Sequence, residues 1–242
     1  TEQFKAIYSG NGEGADIITD AYTSATKPTE FPEYVGNTFR KFSKMKTLLY
    51  QSEERPFYDF FVCNTIRTEE YYFMRRSKSS DKVIKDVNLE KLLKKAPCTL
   101  LVGMGGIGKS MMMRHLFLES IQQYSETGLL PVIITLREFG VENDDLFELI
   151  VRSLNRYDAT IDSTKVNKLL LHGRCQLLFD GLDEIKAADM DEFLAQLDFL
   201  MDRYPNNQMV MSTRRFHSFV SLSRFRGLWL EPFSLEHAVE LV

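Results

Sequence analysis

Residues 103–110 read GMGGIGKS, four glycines within six positions followed by a lysine and a hydroxyl. Glycine loses more backbone freedom on ordering than any other residue, so such a cluster needs a geometric reason. A phosphate supplies one. Without side chains in the way, successive backbone N–H groups from Gly105 to Ser110 can turn into one concavity, and a helix starting there adds its positive end. Lys109 is then placed to bridge the β- and γ-phosphates of a nucleotide, and the Ser110 hydroxyl to take one position on Mg2+. The candidate cofactor-binding set is Gly103, Gly105, Gly106, Ile107, Gly108, Lys109, Ser110 and Met111. The plainer alternative is a glycine-rich turn that only tightens a strand-to-helix connection.

A second stretch supplies carboxylates. CQLLFDGLDEI presents an apolar run ending in Asp180, then a glycine, then the adjacent acids Asp183 and Glu184. Carboxylates at the C-terminal end of a strand fall where ligands bind in open α/β sheets. Asp180 is placed to hold Mg2+ together with Ser110, while Glu184, with Asp183 beside it, is placed to orient or deprotonate an attacking water. Acids that merely cap the next helix are the alternative. In a third stretch, MVMSTRR, an apolar run ends in Ser212 and Thr213 and is followed by Arg214 and Arg215. Arg214 there sets a cation where charge develops in phosphoryl transfer, unless the arginines only solvate a loop or pair with acids.

These residues need elements to hold them. From Cys98 onward apolar runs alternate with helical patterns, as expected of a parallel sheet covered on both faces. The predicted strands are TLLVG (99–103), PVIITL (131–136), CQLLFDG (175–181), QMVMST (208–213) and LWLEPF (228–233). Between them MRHLFLESIQQY follows the glycine loop, and DLFELIVRSL begins behind the cap candidates Asn143 and Asp144. DMDEFLAQLDFLMDRY places Met190, Phe193, Leu194, Leu197, Leu200 and Met201 on one helical face. The methionines at 111–113 read as adaptable core packing. Residues 1–40 have the composition of a linker or loop-rich segment. Residues 41–96 form a lead-in, with a basic and aromatic stretch from Phe39 to Phe61 that reads as a surface helix plus a strand on one edge, and a short helix in 87–97 stopped by Pro97.

The bounds agree with such an organisation. The chain has 242 residues, 44% of them apolar and 26% charged, and a formal net charge of −4 that sets up no broad positive field for nucleic acid. Its three cysteines, Cys63, Cys98 and Cys175, are far apart and odd in number, indicating neither a disulfide framework nor a zinc site. A reducing, cytoplasmic setting and no membrane partner are therefore expected, since no apolar run reaches the roughly 20 residues that span a bilayer.

GMGGIGKS fits G-x-x-x-x-G-K-[ST], the P-loop pattern, and followed by LLFDGLDE and MVMSTRR it resembles the NACHT group of STAND-class signalling ATPases, over roughly Cys98 to Val242. FDGLDE is the most specific part, since related plant NB-ARC proteins usually read LDDVW there. The resemblance implies an α/β P-loop NTPase three-layer sandwich whose five-stranded, mainly parallel sheet has the order 5-1-4-3-2, on residues 97–242. It implies Lys109 and Ser110 on phosphate and Mg2+, Asp180 on Mg2+, Glu184 or Asp183 on water, and Arg214 as first sensor. It also implies ATP over GTP, slow hydrolysis, a homo-oligomer in the active state of the full-length protein, and a role in innate immune or antiviral defence. FSKMKTLLYQSEERPFYDFFV further resembles the lead-in of prokaryotic antiviral NACHT proteins. The helical domain, the winged helix with its phosphate-contacting histidine and the repeat sensor of such switches are not in the sequence, and His237 reads as a surface histidine. The chain is accordingly expected to be the nucleotide-binding core of a longer protein.

Other functions compete with a regulatory ATPase switch. A small-molecule kinase needs an acceptor pocket and a lid, and no compact lid pattern stands between the third and fourth strands. A GTPase needs a guanine-reading [NT]KxD motif, which does not occur. A scaffold that binds ATP without hydrolysing it is the remaining alternative.

Overall fold

The computed structural model describes residues 30–46, 53–68, 83–94, 96–142, 145–214 and 222–232. Arg215, His237, Asn143 and Asp144 lie outside these. The core is a parallel sheet of β5 (Cys98–Val102), β6 (Leu130–Thr135), β7 (Cys175–Asp180), β8 (Gln208–Thr213) and β9 (Arg226–Leu230). Its spatial order is β9-β5-β8-β7-β6, so the five strands run 5-1-4-3-2 in sequence terms. All five residues of β5, and β7 up to Phe179, are buried, which is why these strands read as mainly apolar runs rather than alternating ones. The last strand is Arg226–Leu230 rather than 228–233, because the chain leaves the ladder after pairing Val102 with Trp229.

The sheet is wider than five strands. β3 (Ile66–Arg67) pairs antiparallel with β9, and β4 (Val83–Ile84) pairs antiparallel with β3, giving seven strands. The lead-in thus finishes the sheet edge that β9 would otherwise expose. Two-residue strands carry almost no periodicity, so no pattern in the sequence announces them.

Helix α1 (Pro32–Phe42) corrects the loop reading of residues 1–40 over its last part. Pro32 opens the helix, where its missing N–H is harmless, and Tyr34, Val35, Thr38 and Phe39 form its buried face. The Tyr34 hydroxyl, fully buried, donates to Pro131 O at 2.8 Å and ties α1 to β6. A second short pair, β1 (Lys44–Met45) with β2 (Arg55–Pro56), follows it, and α2 (Leu89–Leu93) is shorter than the 87–97 pattern suggests.

Helix α3 (Lys109–Thr127) runs behind the glycine loop and is buried on nearly all sides, with Met112 and Met113 wholly inside the core. Arg114 of α3 donates from Nε to Phe42 O at 2.7 Å and from Nη2 to Lys44 O at 2.5 Å, capping the C-terminal end of α1. Its guanidinium also lies over the Phe42 and Phe57 rings, at 5.6 and 5.2 Å. Phe42 and Phe57 of the lead-in thus pack against α3 through Arg114.

The same interface holds His115, stacked on Phe61 at 4.5 Å. Val87 O, 3.1 Å from Nε2, can only accept, so Nε2 carries the proton and Nδ1 accepts from the Tyr58 hydroxyl at 3.2 Å. Burial pushes His115 down to about 4 and Glu119, one turn on, up to about 7.

Helices α4 (Leu146–Asn155), α5 (Ser163–Leu171) and α6 (Met190–Arg203) complete the covering layers. The α4 cap is Asp145, whose side chain accepts from Glu148 N. On α6, Phe193, Leu197, Leu200 and Met201 are buried, while Met190 and Leu194 are partly buried against the core. Among the described residues, no helix is long and apolar enough to cross a membrane.

Candidate phosphate-binding site

The loops after β5, β7 and β8 converge at the C-terminal edge of the sheet. The glycine loop after β5 needs its glycines for different reasons. Gly106 and Gly108 have φ of +75° and +97°, the left-handed region where a β-carbon is strained. Gly103 has no such angle, but a β-carbon there would lie 2.7 Å from Ile107 Cγ2, so the loop could not fold back on itself. The Gly103 N–H donates to Thr213 O at 3.1 Å, which joins the start of the loop to the end of β8.

Gly108 caps α3, so the first helical residues are Lys109 and Ser110 and the helix N-terminus faces the loop. Lys109 Nζ donates to Gly103 O at 2.9 Å and Met104 O at 3.0 Å, which holds the ammonium over the loop. Burial lowers its pKa and Arg214 adds to this, while Asp183, Asp180 and Glu184 act the other way. The lysine thus stands among the three predicted carboxylates. Ser110 is exposed, and Met111 is partly buried against the core.

Asp180 ends β7, and its Oδ1 accepts from the Ser212 hydroxyl at 2.5 Å. Ser212 Oγ in turn accepts the Gly181 N–H at 2.9 Å, so one wholly buried hydroxyl fixes both the carboxylate and the turn after it. That turn is left-handed at Gly181, with φ of +87°, and leads into a single 3-10 turn, Leu182–Glu184. Asp183 Oδ2 is 2.8 Å from Arg214 Nε. The Arg214 guanidinium lies across the loop, with Cζ 3.6 Å from where a β-carbon on Gly105 would stand. Glu184 lies against Gly181, its Cδ 3.1 Å from where a β-carbon there would stand.

Ser110 and Asp180 line one cavity of about 200 Å3, together with Thr135, Glu138, Arg156 and Tyr157. Glu138 accepts from Arg156 Nη2 at 2.7 Å, and that bond holds its carboxyl below the usual range. Among the described residues, no three of His, Cys, Asp and Glu cluster as a metal cage. A serine and one aspartate facing the same space instead fit Mg2+, which keeps waters and shares its coordination with phosphate oxygens.

The structure thus brings Gly103, Gly105, Gly106, Ile107, Gly108, Lys109, Ser110, Asp180, Asp183, Glu184 and Arg214 to one edge of the sheet. Sequence reasoning missed two supporting residues. For Ser212 a signal existed, a small hydroxyl near the end of an otherwise apolar strand. For Asn64 there was none: it is 2% exposed in the lead-in, and its Nδ2 donates to Ile107 O at 3.1 Å.

The profile of the NACHT domain family matches residues 97–242. Among solved structures, the Walker-type ATPase PABY2304 of Pyrococcus abyssi is 19% identical over 63% of this chain and 54% of its own, with a TM-score of 0.45. For PCH-2 of C. elegans the values are 17%, 59%, 38% and 0.38, and for Cdc6p of Pyrobaculum aerophilum 14%, 63%, 47% and 0.37. The chain spans about half or less of each of these proteins. No curated protein matches the sequence.

Proposed function

The chain belongs to the NACHT domain family, and from that premise we propose that it binds Mg-ATP and Mg-ADP and hydrolyses ATP slowly, as the nucleotide-dependent switch of a defence protein. One observation carries this reading: Ser110, at the start of the loop helix, and Asp180, at the end of β7, line a single cavity, while Lys109, next to Ser110 in the chain, is held over the glycine loop. In this reading residues 97–242 are the nucleotide-binding unit and residues 41–96 the lead-in, a division supported by the contacts of its described residues Asn64, Ile66 and Arg67 with that unit.

In this reading the loop N–H groups and the α3 N-terminus bind the phosphates, and Lys109 neutralises their charge. Ser110 and Asp180 would hold Mg2+, which would supply a positive charge to polarise the terminal phosphate. Glu184 orients the attacking water and receives its proton. Arg214, steered by Asp183, lies where charge grows on the transferring group. ATP favours an open form that self-associates and ADP a closed resting form, so the two forms must differ in their contacts with nucleotide. The reading places the protein in the cytoplasm.

Calorimetric titration with Mg-ATP, Mg-ADP and Mg-GTP tests it, alongside single-turnover hydrolysis. The adenine nucleotides should bind more tightly than GTP. Lys109→Ala should weaken them by about 1.5 to 3 kcal/mol, the range of a hydrogen bond to a charged group. Equal affinity with and without Lys109 would remove the site from the loop.

A further inference from the structure

Asn64 lies in the lead-in just before β3, outside the glycine loop and both acidic stretches. It is 2% exposed, and its side-chain amide faces two carbonyl oxygens, Ile107 O at 3.1 Å and Glu231 O at 3.2 Å. Carbonyls accept only, so the amide must present its NH2 to both, which fixes its orientation. Its Oδ1 lies on the Gly108 side, 3.4 Å from where a β-carbon on that residue would stand. The amide is itself held in place. Glu231 N donates to Thr65 O at 2.9 Å, and the Glu231 carboxylate pairs with Arg67.

The consequence follows from peptide geometry. The 107–108 peptide is planar and trans, so its C=O and N–H point in opposite directions. Drawing Ile107 O towards Asn64 therefore turns the Gly108 N–H the other way. Gly108, at φ +97°, is the residue whose backbone is otherwise freest to turn over. From these contacts we infer that Asn64 is a positioning residue for phosphate binding, holding the 107–108 peptide so that the Gly108 N–H faces the bound nucleotide. A residue far from the motif in sequence thereby completes its anion-binding nest. The inference rests on the nucleotide-binding reading above and adds a residue to that site.

The test is Asn64→Leu, which keeps the approximate shape, adds no charge near the phosphates and removes both donors. Mg-ADP dissociation constants are measured by calorimetry at a low temperature where circular dichroism shows wild type and variant fully folded. A purely structural role would lower the melting temperature without ligand but leave the dissociation constant of the folded protein unchanged. A positioning role should weaken Mg-ADP by about 10- to 100-fold, the loss expected for one hydrogen bond to a charged group. A folded variant within twofold of wild type overturns the inference and leaves the nucleotide reading standing. Wild type that itself fails to bind Mg-ADP overturns the nucleotide reading first. If Asn64→Leu does not fold, Asn64→Ser, whose hydroxyl is too short to reach both carbonyls, is read by the same constants.

Discussion

The carboxylate of Asp183 holds one residue twice: its Oδ1 accepts the Arg214 backbone N–H at 2.9 Å, and its Oδ2 forms an ion pair with Arg214 Nε at 2.8 Å. The acids at 183 and 184 are neighbours in sequence but not equivalent in space. Asp183 is committed to orienting an arginine over the loop. Glu184 packs instead on the left-handed turn at Gly181, and it is the acid that the proposed mechanism assigns to the water.

Asp183→Asn and Arg214→Ala should each slow single-turnover hydrolysis, and the double variant should be little worse than either single one, because both remove one arrangement. Stability should fall by less than about 1 kcal/mol, since the Arg214 side chain is 63% exposed and its ion pair is screened by water. Additive kinetic losses would mean that the two residues act separately.

Glu184→Gln should leave Mg-ATP affinity near wild type and reduce hydrolysis by about 10²- to 10⁴-fold, the range for losing a general base. Calorimetry and quenched-flow phosphate release measure the two quantities. Unchanged turnover would move the water-positioning role to another group.

Ser212→Ala removes the hydroxyl that serves Asp180 and Gly181, leaving the Gly181 N–H without its acceptor. Unfolding in urea should show a loss of about 1 to 3 kcal/mol, the usual cost of stranding a buried polar group. The Mg2+ dependence of nucleotide binding should shift to higher concentration as Asp180 loses its anchor. A loss of stability without that shift would confine Ser212 to a structural role.

The buried pair on α3 gives a pH signature. Glu119 titrates near 7 in the folded protein against about 4.5 unfolded, so the folded state holds its proton more tightly, and stability is lost as pH rises from 4.5 through 7. His115 titrates near 4 against about 6.5 unfolded, so its contribution rises over 4 to 6.5 and opposes that of Glu119. Glu119→Gln removes only the falling term. The variant should therefore gain stability relative to wild type as pH rises from 4.5 to about 7 and hold that gain above. Urea midpoints at several pH values check this, and a constant difference would mean that Glu119 ionises normally.

Much of the site was legible in the sequence because the requirements behind it are local. Gly106 and Gly108 sit at left-handed angles, Gly103 is crowded by Ile107, and Lys109 and Ser110 begin the helix that the loop caps. Each of these demands falls within a few residues of backbone, so a short string of residue types records it. The buried strands announced themselves similarly, because strands covered on both faces are predominantly apolar.

Tertiary packing decided the rest. Asn64 reaches a carbonyl 43 positions away and another 167 positions away, and nothing in its neighbours' chemistry marks that reach. Two-residue β3 and β4 exist because β9 offers them an edge, and α1 stands where composition suggested a loop because Tyr34 and its neighbours find β6 and α3 to pack on. The surroundings of Asp183 and Glu184 differ because the end of β8 brings Arg214 within reach of Asp183. By itself the sequence determined which residue types could meet a phosphate and in what order along the chain. Only the folded sheet settled which side chains hold those residues in place, since hydrogen bonds between distant segments depend on where packing sets each strand end and not on the residues beside it.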